Sequence, residues 1–271
     1  MKMHGEPDPM YVAARAALLD TLDALREHRN ALILVGAQAV YIHTGATTLP
    51  IAEYTTDADF CIAPDLLADS PLLADRLFAS GYEIGVNPGS WISPRGITVD
   101  LMVPEALASA GSRGARLGPH GNRAARRAKG LEASLLDRQR TVIAALEPSD
   151  KRSVEMWVAG PSALLIAKIH KIHERLDSPD RLSDKDALDI FRLLQSVSTS
   201  SLSSRLNELR TSGLASDVTA QAIDSLPALF GASYSPGTRM AVRAAGEQSL
   251  DAIITASVVT LVQDLLDKLA A

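Results

Sequence analysis

Apolar residues follow helical and strand spacing in turn along the first part of the chain. Helical spacing predicts a helix from Met10 to Arg29 and a second helix over 37–43. Between them, residues 31–35 form a short apolar run that is typical of a buried strand, and Gly36 turns the chain. This part of the sequence therefore predicts a helix, a strand and a helix in succession.

Similar patterns extend along the rest of the chain. Strands are predicted over 54–62, 82–86, 90–93, 97–103 and 154–158, and helices over 72–80, 161–176 and 183–195. Residues 196–204 are predicted to be a polar linker, and three or four helices follow it up to Ala271. We therefore expect an α+β fold, with a mixed sheet and flanking helices followed by an α-helical C-terminal region. The expected domains are 1–160 and 161–271.

Two carboxylates lie two residues apart on the predicted strand 54–62. Because side chains alternate along a strand, Asp57 and Asp59 point to one face, while Ala58 and Phe60 point to the core. Neighbouring carboxylates repel each other unless a cation lies between them. A surface-facing strand with ordinary polar residues is the simpler alternative, but Asp is disfavoured in strands and occurs here twice.

Two further features could complete a metal and nucleotide site. Gly36 leads from a strand into a helix, and the free backbone amides at a helix start, here from Ala37 onward, suit a phosphate group. Most such turns only change the direction of the chain. Asp100, on the predicted strand 97–103, supplies a third carboxylate. Together with Asp57 and Asp59 it would bind Mg²⁺ beside a triphosphate.

The two helices after the sheet carry charged residues beside an apolar stripe. Lys168 lies at the edge of that stripe and is the cation best placed to reach inward. Asp186 falls three residues after Ser183, which predicts a capping box at the start of the helix. Asp189 lies beside apolar residues and needs a partner, which Lys168 or Arg175 could be if the two helices pack antiparallel.

Two histidines on the helix 161–176 are three residues apart. His170 and His173 could form a metal pair, but no further ligand of the right type is nearby. We therefore expect His170 to pair with Glu174 at the surface.

Composition narrows the class of protein. Of 271 residues, 46% are hydrophobic and 22% charged, which is typical of a soluble globular protein. The net charge of −5 means that any contact with nucleic acid must come from a local basic patch. The single cysteine, Cys61, excludes a disulfide framework and fits a reducing cytoplasm. We also expect no signal peptide, since 1–9 has no apolar segment, and no membrane span.

A glycine-rich basic stretch occupies residues 109–130 and contains no acidic residue. Its six cationic side chains are Arg113, Arg116, Arg123, Arg126, Arg127 and Lys129. Such a stretch could bind an RNA backbone without regard to sequence. The alternative is a flexible, solvated loop.

Several of these segments resemble a known family. Residues 35–40, 55–60 and 99–101 resemble the nucleotidyltransferase-fold core of the polymerase-beta type. The branch that the chain resembles more specifically is the AbiEii/AbiGii type of toxin, to which the MenT-type toxins belong. That closer resemblance is carried by residues 161–168, 174–175 and 185–189.

The resemblance implies an enzyme that transfers a nucleotide from an NTP co-substrate with Mg²⁺. MenT-type members act on the 3′ end of tRNA and are restrained by a cognate antitoxin protein. By position, Asp57 and Asp59 would hold Mg²⁺, Lys168 would contact the NTP phosphates, and Asp186 would be the acid of a later catalytic motif. Asp100 would bind a metal ion and help to deprotonate the attacking hydroxyl.

Three hypotheses about function stay open. The chain could be a transferase that acts on tRNA as a toxin, a transferase that modifies a protein or a small molecule, or a catalytically silent nucleotide-fold protein that binds a partner. The basic stretch favours the first over the second. The third stays open because Ala37 stands where many family members have serine, and because the loop before Asp57 has no arginine.

Overall fold

A computed structural model of the chain describes residues 7–45, 53–109, 111, 113–176, 178 and 183–271. Most of the N-terminal segment 1–9 and of the predicted loop 44–52 lies outside these residues. Within them the helices are α1 Pro9–Ala24, α2 Gly36–Thr44, α3 Leu73–Ala79, α4 Pro161–His173, α5 Asp184–Ser196, α6 Thr199–Arg210, α7 Ser216–Phe230, α8 Pro236–Ala245 and α9 Asp251–Ala270. The strands are β1 Leu32–Val35, β2 Asp57–Ile62, β3 Glu83–Ile84, β4 Ser90–Ile92, β5 Thr98–Pro104, β6 Arg126–Ala128, β7 Arg138–Ala144 and β8 Ser153–Ala159.

The strands form one mixed sheet in the order β3-β4-β5-β2-β1-β8-β7, and β6 pairs with β5. β2 is parallel to β5, and β1 is parallel to β8 but antiparallel to β2. All four residues of β1 are buried, as an apolar central strand requires. The predicted α+β class, with a mixed sheet, flanking helices and a helical C-terminal region, is confirmed.

The first helix is shorter than its pattern predicted. Asp8 accepts a hydrogen bond from the Met10 amide at 2.8 Å, and a proline in the first turn helps to start α1. The helix ends at Ala24, and residues Arg26–Ala31 form a 3₁₀ helix. In that segment the buried His28 lies 2.7 Å from the Pro71 carbonyl oxygen, so a tertiary contact accompanies the change in helical pitch.

Two segments differ from their sequence-based description. The polar linker expected over 196–204 is wrong, because α6 begins at Thr199. The Ser198 hydroxyl caps this helix by accepting from the Ser201 amide at 3.2 Å, so the serines provide a cap rather than a break. Strand β7 was missed, because its polar residues hide the alternating pattern of an edge strand.

The chain divides into two compact units. The sheet unit comprises the described residues within Met1–Ala39, Ala52–Ala128 and Arg138–Ala159. The helical unit comprises those within Val40–Ile51, Lys129–Asp137 and Gly160–Ala271.

The helical unit is built from α4 to α9, with α5 packed on α4 and α8, and α6 packed on α9. Its last segment, Gln248–Ala270, is long and apolar enough to cross a membrane by length and composition, contrary to the expectation that no run approaches such a span. Core helices of soluble proteins pass the same test but are mostly buried, whereas 22% of the apolar window of this segment is buried. The buried residues of the segment include Val258, Val262 and Leu265.

Candidate functional site

Three carboxylates share one face of the sheet. Asp59 and Asp100 are register partners in the parallel pair of β2 and β5, so their side chains point to the same face. Asp57 precedes Asp59 by two residues and shares that face. All three are partly exposed, whereas Ala58 and Phe60, on the opposite face, are fully buried. The fold thus brings together the three carboxylates that the sequence singled out.

Gly36 packs directly against one of these carboxylates. It begins α2 with a φ of +71°, and a Cβ added there would lie 2.1 Å from Oδ2 of Asp59. The Asp59 carboxylate therefore lies at the first turn of α2, where the positive end of the helix dipole favours an anion. A glycine is required here both by the backbone angle and by the close approach.

Replacement of this glycine should therefore cost more than backbone strain alone. We expect Gly36→Ala to lower the free energy of unfolding by about 1–3 kcal/mol more than Gly96→Ala, because its methyl group must displace the Asp59 carboxylate. Gly96 is a matched control, since its φ is +74° and a Cβ there would meet nothing within 4 Å. Urea unfolding of both variants measures the difference. Equal losses would contradict the close packing at Gly36.

Asp57 is held by neighbours from two segments. Its Oδ1 accepts a hydrogen bond from the Thr55 hydroxyl at 2.6 Å, and its backbone carbonyl accepts one from Nε2 of Gln38 at 3.0 Å. The buried Gln38 in turn accepts from Nε of Arg15 at 2.9 Å. Neither Gln38 nor Thr55 was predicted from the sequence to belong to the site. The signal for Gln38 is a polar residue between apolar residues, two positions after Gly36.

Asp100 is paired with a cation from the basic stretch. Arg126, on β6, lies 3.1 Å from Oδ2 of Asp100, with both side chains partly exposed. The carboxylate oxygens of Asp57, Asp59 and Asp100 are the donor type that Mg²⁺ prefers. However, no group of three or more His, Cys, Asp or Glu side chains within the described ranges is arranged to hold a metal ion. In donor chemistry Asp57 and Asp59 fit Mg²⁺ best, since Asp100 is held by an arginine.

The basic stretch is more ordered than a solvated loop. Trp91 donates to the Ala124 carbonyl at 3.0 Å, and β6 extends the sheet beside β5. Besides Arg126, Arg127 is also paired, with Glu105 at 3.2 Å.

The other four cations of the stretch have different surroundings. Arg113 is exposed and donates to the Asn87 side chain at 3.4 Å, whereas Arg116 and Arg123 are exposed with no ion pair in the described parts of the chain. Lys129 belongs to the helical unit, where it lines a cavity of about 440 Å³ together with His173 and Asp224.

Lys168 is buried in the helical unit between two carboxylates. Its Nζ lies 2.6 Å from Oδ1 of Asp186 and 2.6 Å from Oδ2 of Asp189. Lys171, at the edge of this cluster, lies 3.1 Å from Asp186. The expectation that Asp189 has a cationic partner on the preceding helix is confirmed, and of the two candidates it is Lys168 that pairs with it. The capping box is wrong, because the Asp186 side chain binds these lysines and Ser183 makes no side-chain cap.

The electrostatics of this cluster favour the charged forms. Burial alone would lower the pKa of Lys168, but the charges of Asp186 and Asp189 outweigh it and raise the pKa well above its ordinary value. Burial would likewise raise the pKa of Asp186, but Lys168 and Lys171 lower it below its ordinary value. Oδ1 of Asp189 is buried and accepts no hydrogen bond from the described residues.

His170 is a core residue of the helical unit. Its Nε2 lies 2.8 Å from the Val218 carbonyl oxygen, and its ring packs against Gly130. The expected surface pairing with Glu174 is therefore wrong. Burial lowers the pKa of His170, so the ring is neutral at pH 7.

No protein-family model matches the chain. A search of curated proteins finds no significant match either.

Proposed function

We propose that this chain is a nucleotidyltransferase that moves an NMP group from an NTP to an RNA 3′ end: the 3′-hydroxyl forms a bond to the α-phosphorus, and pyrophosphate leaves. The observation that carries the proposal is the register of β2 and β5, with Asp57, Asp59 and Asp100 on one sheet face and Gly36 against Asp59. Phosphoryl transfer needs such carboxylates beside a phosphate-binding turn, because the reaction is catalysed by positioning and charge neutralisation.

Each residue then has a defined task. Asp57 and Asp59 would hold Mg²⁺, and Thr55 and Gln38 would fix the strand segment that carries Asp57. A bound Mg²⁺ would neutralise charge on the triphosphate and make the attacking hydroxyl more acidic. Asp100 would face the acceptor hydroxyl, and Arg126 beside it would meet an acceptor phosphate.

The acceptor and the biological role are inferred from surface charge and from the resemblance. The exposed Arg116 and Arg123 of the basic stretch, with Arg126 on the sheet, favour a polyanionic acceptor. Together with the resemblance to AbiEii/AbiGii-type toxins, this leads us to propose tRNA as the acceptor, a toxin role, a cognate antitoxin as the partner, and the cytoplasm as the location.

Lys168 and Asp186 belong to this proposal only through the resemblance. Within the helical unit they neutralise each other together with Asp189. That arrangement supports a structural task, and the variants of Lys168 described in the Discussion separate it from a direct contact with phosphate.

The decisive experiment is a transfer assay with each α-labelled NTP, Mg²⁺ and total tRNA. Label on tRNA with the wild-type chain, lost on addition of EDTA, supports the proposal. Label on the protein itself would favour the second hypothesis, a transferase that modifies proteins. Absence of label with all four NTPs would overturn the proposal in favour of a catalytically silent protein.

One observation favours the silent alternative. Arg126 already neutralises Asp100, so one of the three carboxylates is less available to a metal ion. Such a protein would keep the sheet face as a binding surface only.

The exposed arginines should control RNA affinity through charge alone. We expect the double variant Arg116→Ala/Arg123→Ala to weaken tRNA binding and to reduce the slope of log K against log salt concentration by up to about 2. The double variant Arg210→Ala/Arg239→Ala is a charge-matched control, because these arginines are also exposed but lie in the helical unit. Binding titrations at several salt concentrations measure both slopes. Equal slopes for the two variants would exclude a specific role of the basic stretch.

A further inference from the structure

An aromatic residue and two arginines lie on the same sheet face as the carboxylates. Cys61, two residues after Asp59, is the register partner of Ile33, which in turn pairs with Trp157 on β8. Arg140 on β7 is the register partner of Trp157. Because directly paired residues point to the same face, Arg140 and Arg138 share the face of Asp59.

The two arginines stack on Trp157 but differ in their partners. The guanidinium carbon of Arg138 lies 4.6 Å from the centre of the Trp157 ring, and that of Arg140 lies 4.5 Å from it. Arg140 also donates to Oδ1 of Asn30 at 2.8 Å. The Arg138 side chain has no hydrogen bond or ion pair with any residue that the structure describes, and its Nη1 is buried without an acceptor.

An unpaired, partly buried guanidinium has a specific chemical requirement. Burial lowers the pKa of Arg138, yet an arginine in a protein stays protonated. A buried N–H group without an acceptor costs free energy, which an anion can recover. The planar guanidinium can donate two parallel hydrogen bonds to two oxygens of a phosphate, whereas an acceptor with a single oxygen can use only one of these donors.

The order of the strands places Asp100 and Arg138 on opposite sides of Asp59. Asp100 on β5 lies on one side of β2, and β1, which ends at Gly36, lies on the other. β8 and β7 follow on the Gly36 side, so Arg138 and the proposed acceptor residue Asp100 are on opposite sides of Asp59. Three strand spacings separate the backbones of β2 and β7, about 14 Å.

We propose that Arg138, stacked on Trp157, binds the terminal phosphates of the nucleoside triphosphate. The inference rests on the proposed transferase function, in which the triphosphate extends from Asp59 past Gly36, away from the acceptor. Arg138 then supplies the phosphate contact that the resemblance gives to Lys168, whose charge is already neutralised by two carboxylates.

Binding of inorganic tripolyphosphate tests this contact without any transfer step. We expect calorimetry at a fixed salt concentration to show binding to the wild-type chain, and Arg138→Gln to weaken it at least tenfold. Arg140→Gln is the matched control. Arg140 lies on the same strand and stacks on the same tryptophan, but its guanidinium already donates to Asn30. The affinity of this variant should stay within about threefold of wild type. If circular dichroism shows that Arg138→Gln is not folded, Arg138→Lys is used in its place. That variant keeps the charge but loses the paired donors of the guanidinium.

The outcomes separate this proposal from the transfer reaction. No binding of tripolyphosphate by the wild type, or equal binding by wild type and Arg138→Gln, overturns the role of Arg138 even if label is transferred to tRNA. Loss of affinity for an oligoribonucleotide but not for tripolyphosphate in Arg138→Gln also overturns this role, because Arg138 would then bind a phosphate of the acceptor. Conversely, Arg138-dependent binding without any transfer would refute the proposed reaction and leave a triphosphate-binding site.

Discussion

Asp59→Asn should abolish nucleotidyl transfer, with a loss on the order of 10³-fold or more in rate. Asp59 is the central carboxylate of the site, next to Asp100 in the sheet register and against Gly36 at the start of α2. The amide keeps the shape of the side chain but removes the charge that a divalent cation requires. The measurement is the initial rate of label transfer at saturating NTP and Mg²⁺.

Asp65→Asn is the matched control for that variant. Asp65 is exposed and lies in the 3₁₀ helix that follows β2, away from the shared carboxylate face. Its variant should transfer label at the wild-type rate. If Asp59→Asn transfers label at a rate within tenfold of wild type, Asp59 has no catalytic role in that reaction.

Lys168→Met should destabilise the chain by about 3–5 kcal/mol, because it leaves two buried carboxylates without their cation. Lys171→Met removes a lysine that is 39% exposed and has one contact, at 3.1 Å, so its expected cost is about 0–1 kcal/mol. Urea unfolding at pH 7 measures both values. The comparison isolates burial as the cause, since both lysines lie on α4 and bind Asp186.

A rescue variant tests whether the unpaired buried carboxylates cause the loss of stability. The triple variant adds Asp186→Asn and Asp189→Asn to Lys168→Met, so that none of the three buried side chains is charged. It should restore part of the stability lost in Lys168→Met. If Lys168→Met keeps wild-type stability but loses transfer, the structural task is refuted and a direct role at the phosphates is favoured. If the rescue variant is stable but inactive, both tasks belong to this cluster.

The sequence predicted those parts of the molecule that depend on local patterns. Asp57 and Asp59 alternate with apolar residues, and this period of two places them on one face whatever lies beyond the strand. The partnership of Lys168 and Asp189 was also predictable, because a charge beside an apolar stripe needs a nearby counter-charge. Both inferences use spacing within one element or between two neighbouring helices.

Other features depend on contacts between distant segments and were not predictable. Arg126 had the appearance of a free cation in a glycine-rich stretch, but β6 pairs with β5 and brings it to Asp100. His170 was expected at the surface, but the Val218 carbonyl from α7 covers it. Strand β7 has few apolar residues because it is an edge strand, so its period was too weak to detect.

The parallel pairing of β1 with β8 has a consequence for how the protein is made. Residues 32–35 emerge from the ribosome long before residues 153–159, which cover one side of β1. Until then β1 is an uncovered edge made of four apolar residues, the kind of edge that promotes self-association. Fragments that end before Ala159 should therefore aggregate, and expression of the sheet unit should require β8 to be retained. We therefore expect the N-terminal half of this chain to remain prone to self-association until a strand from the middle of the chain pairs with it.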